Sequence, residues 1–267
     1  MRIASFNVNS IRTRLDLVLD YLAQEQPLAL GLQETKVVDE DFPLEPLGNL
    51  GYEVHPFGQK SYNGVALLTQ GKVLALQQGF DNEDPAAQKR FQALQLDCQL
   101  GHLTLINGYF PQGESREHPT KFPAKQKFYR DLLGYLQQHH QPQDKLLVMG
   151  DFNVAPADLD VGIGPDNAKR WLKTGKCAFL PEEREWLQAL AAWGLVDSFR
   201  HLHPESQAMS WFDYRTNGYA DGRGLRIDQI WVSRGLLPHL RGAGIDYRLR
   251  QAERPSDHCL IWADFSP

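Results

Sequence analysis

The stretch Leu146-Leu147-Val148-Met149-Gly150-Asp151-Phe152-Asn153 constrains the fold more than any other part of the chain. An apolar run with strand character ends in Gly-Asp-Phe-Asn, and the turn residues Ala155-Pro156 follow at once. Side chains alternate faces along a strand, so Asp151 and Asn153 are expected to point the same way. A carboxylate and an amide at the carboxyl end of a buried strand is where an α/β protein places its chemistry. The bland alternative is that Asp151 only caps a turn, and the stretch alone does not separate the two.

The segments around it set the class. Residues 2–9 alternate, with Ala4, Phe6 and Val8 on one face and Ile3, Ser5, Asn7 and Asn9 on the other. Leu15, Val18, Leu19 and Leu22 recur at helical spacing until Pro27, and residues 28–34 then read as a strand with Leu28, Leu30, Leu32 and Glu34 on one face. Strand, helix and strand with short links predict a parallel crossover unit. Short β-like runs follow at 52–55, 65–69, 73–77, 91–97 and 103–110, mostly separated by Gly, Asn and Pro as in antiparallel pairs. A helix is expected over 124–139, with Phe128, Leu132, Tyr135 and Leu136 on one stripe, and another over 181–193. Residues 155–180 are poorly patterned, and closing strands are expected at 227–233, 244–249 and 259–265. The pattern predicts an α/β four-layer sandwich: two packed mixed sheets with helices outside, as one domain over 1–267. Residues 3–9 and 148–153 both run from an apolar strand into Phe-Asn, a faint internal echo.

Composition excludes several classes. A hydrophobic content of 42% with 10% aromatics is ample for a core. No apolar run reaches membrane-span length, and the N-terminus has neither a signal-peptide core nor a cleavage pattern. Cys98, Cys177 and Cys259 are odd in number and widely spaced, which fits a reduced cytoplasmic protein better than a disulfide scaffold or zinc site. The net charge of −5 argues against a nucleic-acid partner only as a whole-surface sum, because a local basic patch can still bind one.

Polar residues gather at many predicted strand ends: Asn7 and Asn9, Glu34, Asn107 with Tyr109, Asp151 and Asn153, Asp228, and Asp257-His258. If those ends converge, they line a cleft with oxygen donors, the set that suits Mg²⁺ or Mn²⁺. Zinc spacing, a Walker loop and a dinucleotide fingerprint are all missing from the sequence. His258 emerges from the turn Arg254-Pro255-Ser256-Asp257, with Asp228 as the natural carboxylate to orient it. A serine hydrolase also needs His and Asp, but no Gly-x-Ser-x-Gly elbow occurs. The assembly instead suggests metal-assisted hydrolysis of a phosphate ester by water. Lys89-Arg90, Arg116, Lys121, Lys125, Lys127 and the 169–176 segment offer cations for phosphates, and Trp211 and Phe212 beside Arg215 offer aromatic surface for bases. For the aromatics, core packing is the competing reading.

The motifs Ser5-Phe6-Asn7-Val8-Asn9, Leu30-Gly31-Leu32-Gln33-Glu34-Thr35-Lys36, Asn107-Gly108-Tyr109-Phe110-Pro111-Gln112-Gly113, Gly150-Asp151-Phe152-Asn153, Ser210-Trp211-Phe212-Asp213-Tyr214-Arg215, Gly224-Leu225-Arg226-Ile227-Asp228 and Ser256-Asp257-His258 occur in one order across almost the whole chain. In that set the chain resembles the endonuclease/exonuclease/phosphatase superfamily, within it the abasic-site endonucleases of the bacterial exonuclease III type. The resemblance implies metal-dependent hydrolysis of the phosphodiester 5′ to abasic sites in duplex DNA, with 3′→5′ exonuclease and 3′-phosphatase or phosphodiesterase activity. It implies Mg²⁺, with Mn²⁺ as substitute, near Glu34 and Asn7, with Asp151, Asn153 and Asp257 as further candidates. Asp151 would move the water's or leaving group's proton, and Asn153 would help hold the phosphate. Tyr109 would meet the scissile phosphate or the leaving oxygen, and His258 paired with Asp228 would polarise a phosphate oxygen. Asn9, Arg90, Gln112, Lys121, Trp211, Phe212, Arg215 and His258 would grip DNA at abasic sites, nicks or 3′ ends, with the protein acting as a monomer. Phe152, Gln229-Ile230-Trp231, Cys259-Leu260-Ile261 and the 218–222 loop depart from the relatives, at none of the catalytic positions. A catalytically silent RNA- or protein-binding member of the fold and a small-substrate phosphodiesterase are the alternatives. The first predicts lost cleft residues, and the second sits poorly with the 109–113 and 210–215 segments.

Overall fold

The computed structural model describes every residue from Met1 to Pro267 except Asn82. In chain order the elements are β1 (Arg2–Asn7), α1 (Ile11–Glu25), β2 (Ala29–Gln33), α2 (Leu44–Gly48), β3 (Glu53–Phe57), β4 (Val65–Thr69), β5 (Lys72–Gln78), β6 (Phe91–Cys98) and β7 (Gly101–Tyr109). There follow α3 (Lys121–His139), β8 (Leu146–Asp151), α4 (Pro165–Thr174), α5 (Pro181–Trp193), β9 (Leu195–Asp197), α6 (Ser198–Leu202), β10 (Asp228–Ser233), β11 (Leu240–Asp246) and β12 (Leu260–Phe265).

Two six-stranded mixed sheets result, ordered β11-β12-β1-β2-β4-β3 and β5-β6-β7-β8-β10-β9. Each holds one parallel pair, β1 with β2 and β7 with β8, among antiparallel neighbours. If β1 is matched to β8 and β2 to β7, the remaining pairings of one sheet reproduce those of the other. The echo between 3–9 and 148–153 therefore falls on strands in equivalent positions.

Strand alternation decides what each face buries. On β1, Ile3 joins a core between the sheets with Leu94, Leu105, Leu147, Met149, Ile230 and Ile261. Ala4 and Phe6 face the other way and pack with Leu30, Leu32 and Val18, Tyr21 and Leu22 of α1. On β8, Leu147 and Met149 point between the sheets, whereas Leu146 and Val148 meet Phe128, Leu132 and Leu136 of α3 and Leu187 and Leu190 of α5. Three apolar layers thus separate four structural layers, as the periodicity predicts.

Three expectations need correction. The 155–180 segment contains α4, none of whose residues is fully buried; its apolar stripe is only Ala168 and Trp171, packed on a satellite cluster and too short to stand out among the charged residues around it. The signals it does carry are Pro165 at its first turn and Gly175 beyond its end in the left-handed region at φ 66°. The strand expected at 244–249 instead spans Leu240–Asp246, an edge strand with an irregularity between Leu240 and Gly242. Its glycines look like punctuation in the sequence, yet Gly244 lies flat against the Trp262 ring, where a Cβ would stand 2.6 Å from it. Lys125 is no surface cation: its ammonium is fully buried against Glu183.

Candidate active site

Four inward-facing ladders end in polar side chains at one end of the sheets. They run Ile3-Ser5-Asn7, Leu103-Leu105-Asn107-Tyr109, Leu147-Met149-Asp151 and, in reverse on β10, Val232-Ile230-Asp228. Register aligns Tyr109 with Asp151 and Asp151 with Asp228 across three adjacent strands. The β7–β8 approach beside Asp151 needs glycine. Gly150 adopts φ +145°, and a Cβ there would lie 1.9 Å from the Gly108 carbonyl oxygen.

Asp151 is held by three donors. The Asn7 amide bridges from the other sheet at 3.0 Å, the Asn153 backbone N–H donates at 3.0 Å and the Asn153 side chain at 3.1 Å. Beside it, His258 Nδ1 lies 2.9 and 3.0 Å from the two Asp228 oxygens, and its Nε2 stands 3.9 Å from Asp151. Ser210 Oγ donates to Asp228 at 2.7 Å while accepting the Ile227 and Asp228 N–H groups, which fixes the carboxylate that fixes the imidazole.

Burial works against the His258 imidazolium, but Asp228, Asp151 and Asp257 outweigh it and raise its pKa to about 10. The ring is therefore charged at neutral pH, with both nitrogens as donors. Burial, only partly offset by His258, pushes the Asp151 carboxyl up to about 7. Burial and the nearby Glu34 push the Tyr109 phenol well above its ordinary range. Tyr109 therefore stays a neutral donor, and its hydroxyl donates to Glu34. Asp257 is held below the usual carboxylate range: burial opposes ionisation, but His258 and the donors Asn9 and Trp211 prevail. Those two donors sit 2.9 and 3.0 Å from its oxygens.

Strand parity alone does not deliver all of these groups. Asp151 is the last residue of β8, and Asn153 returns toward it through a left-handed turn at φ 54° rather than by alternation. Parity would place Glu34 outside with Leu30 and Leu32, yet its own φ of 53° swings it inward to Tyr109 and to Lys36, 3.1 Å away. Asn9 and Lys36 are also left-handed, at 42° and 56°. Such conformations cost of order 1–3 kcal/mol each away from glycine and concentrate at functional sites.

A cleft of about 230 Å³ opens over these groups, lined among others by Glu34, Tyr109, Gln112, Asp151, Asn153 and His258, with Trp171 and Trp211 as aromatic walls. Of the sequence candidates, Asn7 and Asp228 lie directly beneath, and Asn9 reaches the rim through Asp257. Arg90 packs on the Tyr109 ring at 4.4 Å and donates to its carbonyl. Lys121 pairs with Glu114, and Arg215 sits on an exposed turn, both away from the cleft lining. Asn107 is spent between the sheets, donating to the Leu32 and Ala66 carbonyls. Phe212 is buried in a satellite cluster against Tyr219 and Tyr247. Phe212→Ala is accordingly expected to destabilise the DNA-free protein by about 3–5 kcal/mol, read by thermal denaturation; an unchanged melting temperature would contradict the packing role. Sequence reasoning passed over Lys36, Ser210, Leu225 and Ile227, which touch or support the site. Only their places beside Glu34, Trp211 and Asp228 hinted at them.

Residues 4–258 match the Endonuclease/Exonuclease/phosphatase family. The chain belongs to that family. Exodeoxyribonuclease III of Haemophilus influenzae is 52% identical over 266 residues, spanning 99% of this chain and 100% of its own. A 3′ phosphatase from Neisseria, solved bound to a product DNA hairpin, superposes with a TM-score of 0.90 at 35% identity, covering 100% of each chain. An AP endonuclease from Archaeoglobus fulgidus does so with 0.91 at 33% identity, again covering 100% of each. Among the described residues, no helix is long and apolar enough to cross a membrane.

The donor set fits a hard divalent cation. Asp151, Asp228 and His258 present ligand atoms within 4.8 Å of one another. Since His258 and Asp228 are already committed to each other, Glu34 and Asp151 are the better-placed carboxylates. The raised pKa of Asp151 marks a buried carboxyl short of positive charge, the condition that an oxygen-ligated divalent ion relieves.

Proposed function

We propose that this family member is a cytoplasmic, monomeric, single-domain DNA repair nuclease. It hydrolyses the phosphodiester 5′ to abasic sites in duplex DNA and trims or dephosphorylates 3′ ends. The observation that carries the reading is the constellation of Asp151 beside His258 anchored by Asp228, at the floor of a cleft walled by Trp211.

The residues act as follows. Glu34 and Asp151, with Asn7 and Asp257 nearby, would hold Mg²⁺ (or Mn²⁺), whose charge offsets that of the phosphate. His258 Nε2 donates to a phosphate oxygen and strengthens that contact as charge builds there. The Asp151 carboxyl, held by Asn7 and Asn153 beside His258, is placed to take a proton from the attacking water. Asn153 spends its amide hydrogens on Asp151 and on the Phe110 carbonyl, so orienting Asp151 is its main task and any contact with the phosphate is secondary. Tyr109, held neutral and stacked on Arg90, donates a hydrogen bond to the substrate or leaving oxygen rather than acting as a phenolate. Trp211 and Gln112 face the sugar and bases, Arg90, Lys121, Asn9 and Arg215 meet flanking phosphates, and Phe212 packs on Tyr219 and Tyr247 rather than on DNA.

A duplex carrying a single abasic analogue tests this. Incision is expected with Mg²⁺ and complete loss in EDTA, restored by excess Mg²⁺. Metal-independent incision, or no incision beside robust hydrolysis of a small phosphodiester, would sink it.

A further inference from the structure

A fully buried ion pair lies behind the cleft wall, where no phosphate can reach it: Lys125 of α3 and Glu183 of α5. Taking both charges out of water is expensive, and an apolar pair of similar volume is often no less stable. What the ammonium touches explains its presence. Its three N–H groups meet three acceptors: the Glu183 carboxylate, the Asn153 carbonyl at 2.8 Å and the Gln112 carbonyl at 3.2 Å. Both carbonyls belong to residues whose side chains line the cleft.

The grip on Asn153 is part of a larger arrangement. Three consecutive carbonyls of the turn after β8 each receive a buried side-chain donor. Tyr129 Oη donates to Phe152 at 2.7 Å, Lys125 to Asn153, and Gln229 Nε2 to Val154 at 2.6 Å. Lys125 and Tyr129 are four residues apart on α3 and so share one helix face. The middle residue of this turn is the one in the left-handed conformation, whose amide orients Asp151. On the other side, Gly113 (φ +85°) packs so closely on the lysine stem that a Cβ would stand 2.9 Å from Lys125 Cδ. The second Glu183 oxygen accepts the Leu180 N–H at the start of α5, so the anion is itself fixed.

We infer that Lys125, with Glu183 as its buried counter-ion, is a positioning residue for hydrolysis. It holds the Asn153 turn, and through it Asp151, in reacting geometry while also fixing the Gln112 backbone beside the cleft. The inference rests on the nuclease reading above. It makes Lys125 neither a catalytic group nor a DNA contact.

The test is the charge-neutral double variant Lys125→Met/Glu183→Gln, in which the amide oxygen can still accept the Leu180 N–H. On an abasic duplex, kcat is expected to fall roughly tenfold or more, the usual effect of losing an outer-shell support, with KM little moved. Leu187→Ala, a core change in α5, serves as the stability control: it lowers the melting temperature but leaves kcat intact well below it. If the double variant keeps its kcat, or loses KM alone, the inference is overturned. Should it not fold, Glu183→Gln alone carries the same kcat-against-KM comparison. If the parent itself does not incise, the nuclease reading falls separately. Positioning is then read from the Asn153 side-chain amide signal in a ¹H–¹⁵N spectrum, expected to move toward its free position in the variant and to overturn the inference if it stays.

Discussion

Asp151→Asn lowers turnover of an abasic duplex by roughly 10²–10⁴-fold, the span typical of losing a positioned acid–base group. In EDTA the same change raises the melting temperature. The two effects share one cause: the carboxylate is buried, mainly at the expense of its own hydration, so its pKa climbs from 3.8 to about 7. For an acid whose folded pKa is raised, the native state keeps a proton that the unfolded chain has released. The fold is then penalised progressively from about pH 4 to about pH 7, and by a constant amount above. The uncharged variant escapes that penalty, so its advantage is absent near pH 4, grows to pH 7 and then levels off. Saturating Mg²⁺ reverses the order, because the parent alone keeps the full ligand set. Thermal scans from pH 4 to 8 with and without metal check this. A variant less stable than the parent at pH 8 in EDTA, or one that still turns over normally, would refute the assignment of Asp151.

His258→Gln is the second large effect. Removing a charged donor aimed at the phosphate lowers kcat by roughly 10²–10³-fold. Stability moves with the opposite sign to that of Asp151→Asn. The imidazole pKa is raised from 6.5 to about 10, with burial opposing and the carboxylates of Asp228, Asp151 and Asp257 prevailing. For a base shifted upward, the stabilisation is complete below the unfolded value and disappears as pH rises through the folded one. The melting-temperature deficit of the variant in EDTA is therefore largest near pH 6.5 and closes toward pH 10. A deficit that widens over that window would mean that the ring is neutral in the native protein. Asp228→Asn should mimic the kinetic loss by leaving His258 without its anchor.

Much of the site was legible because strands carry a period of two and end where their apolar runs end. That rule puts Asn7, Tyr109, Asp151 and Asp228 at the ends of inward ladders, and the structure aligns the last three in register. It misassigns Glu34, because one left-handed residue reverses a side chain without leaving any mark in hydrophobic spacing. It also takes Lys125 by residue type as a surface cation and leaves Phe212 open between base contact and core packing, whereas tertiary packing buries both. α4 escaped because its apolar stripe is short, Ala168 and Trp171 on a satellite cluster with no fully buried residue.

Sequence alone determined the layered α/β architecture, the buried strand ending at Asp151, and the oxygen-rich chemistry of the strand ends. Each follows from local periodicity and residue type, which need no knowledge of distant neighbours. The tertiary structure decided which ends meet. Asn7 and Asp151 stand 144 positions apart and come from different sheets, yet hydrogen-bond at 3.0 Å. It also decided the protonation states, because the pKa values of Asp151 and His258 arise from burial and from mutual distance. Neither quantity exists until the two sheets close on one another.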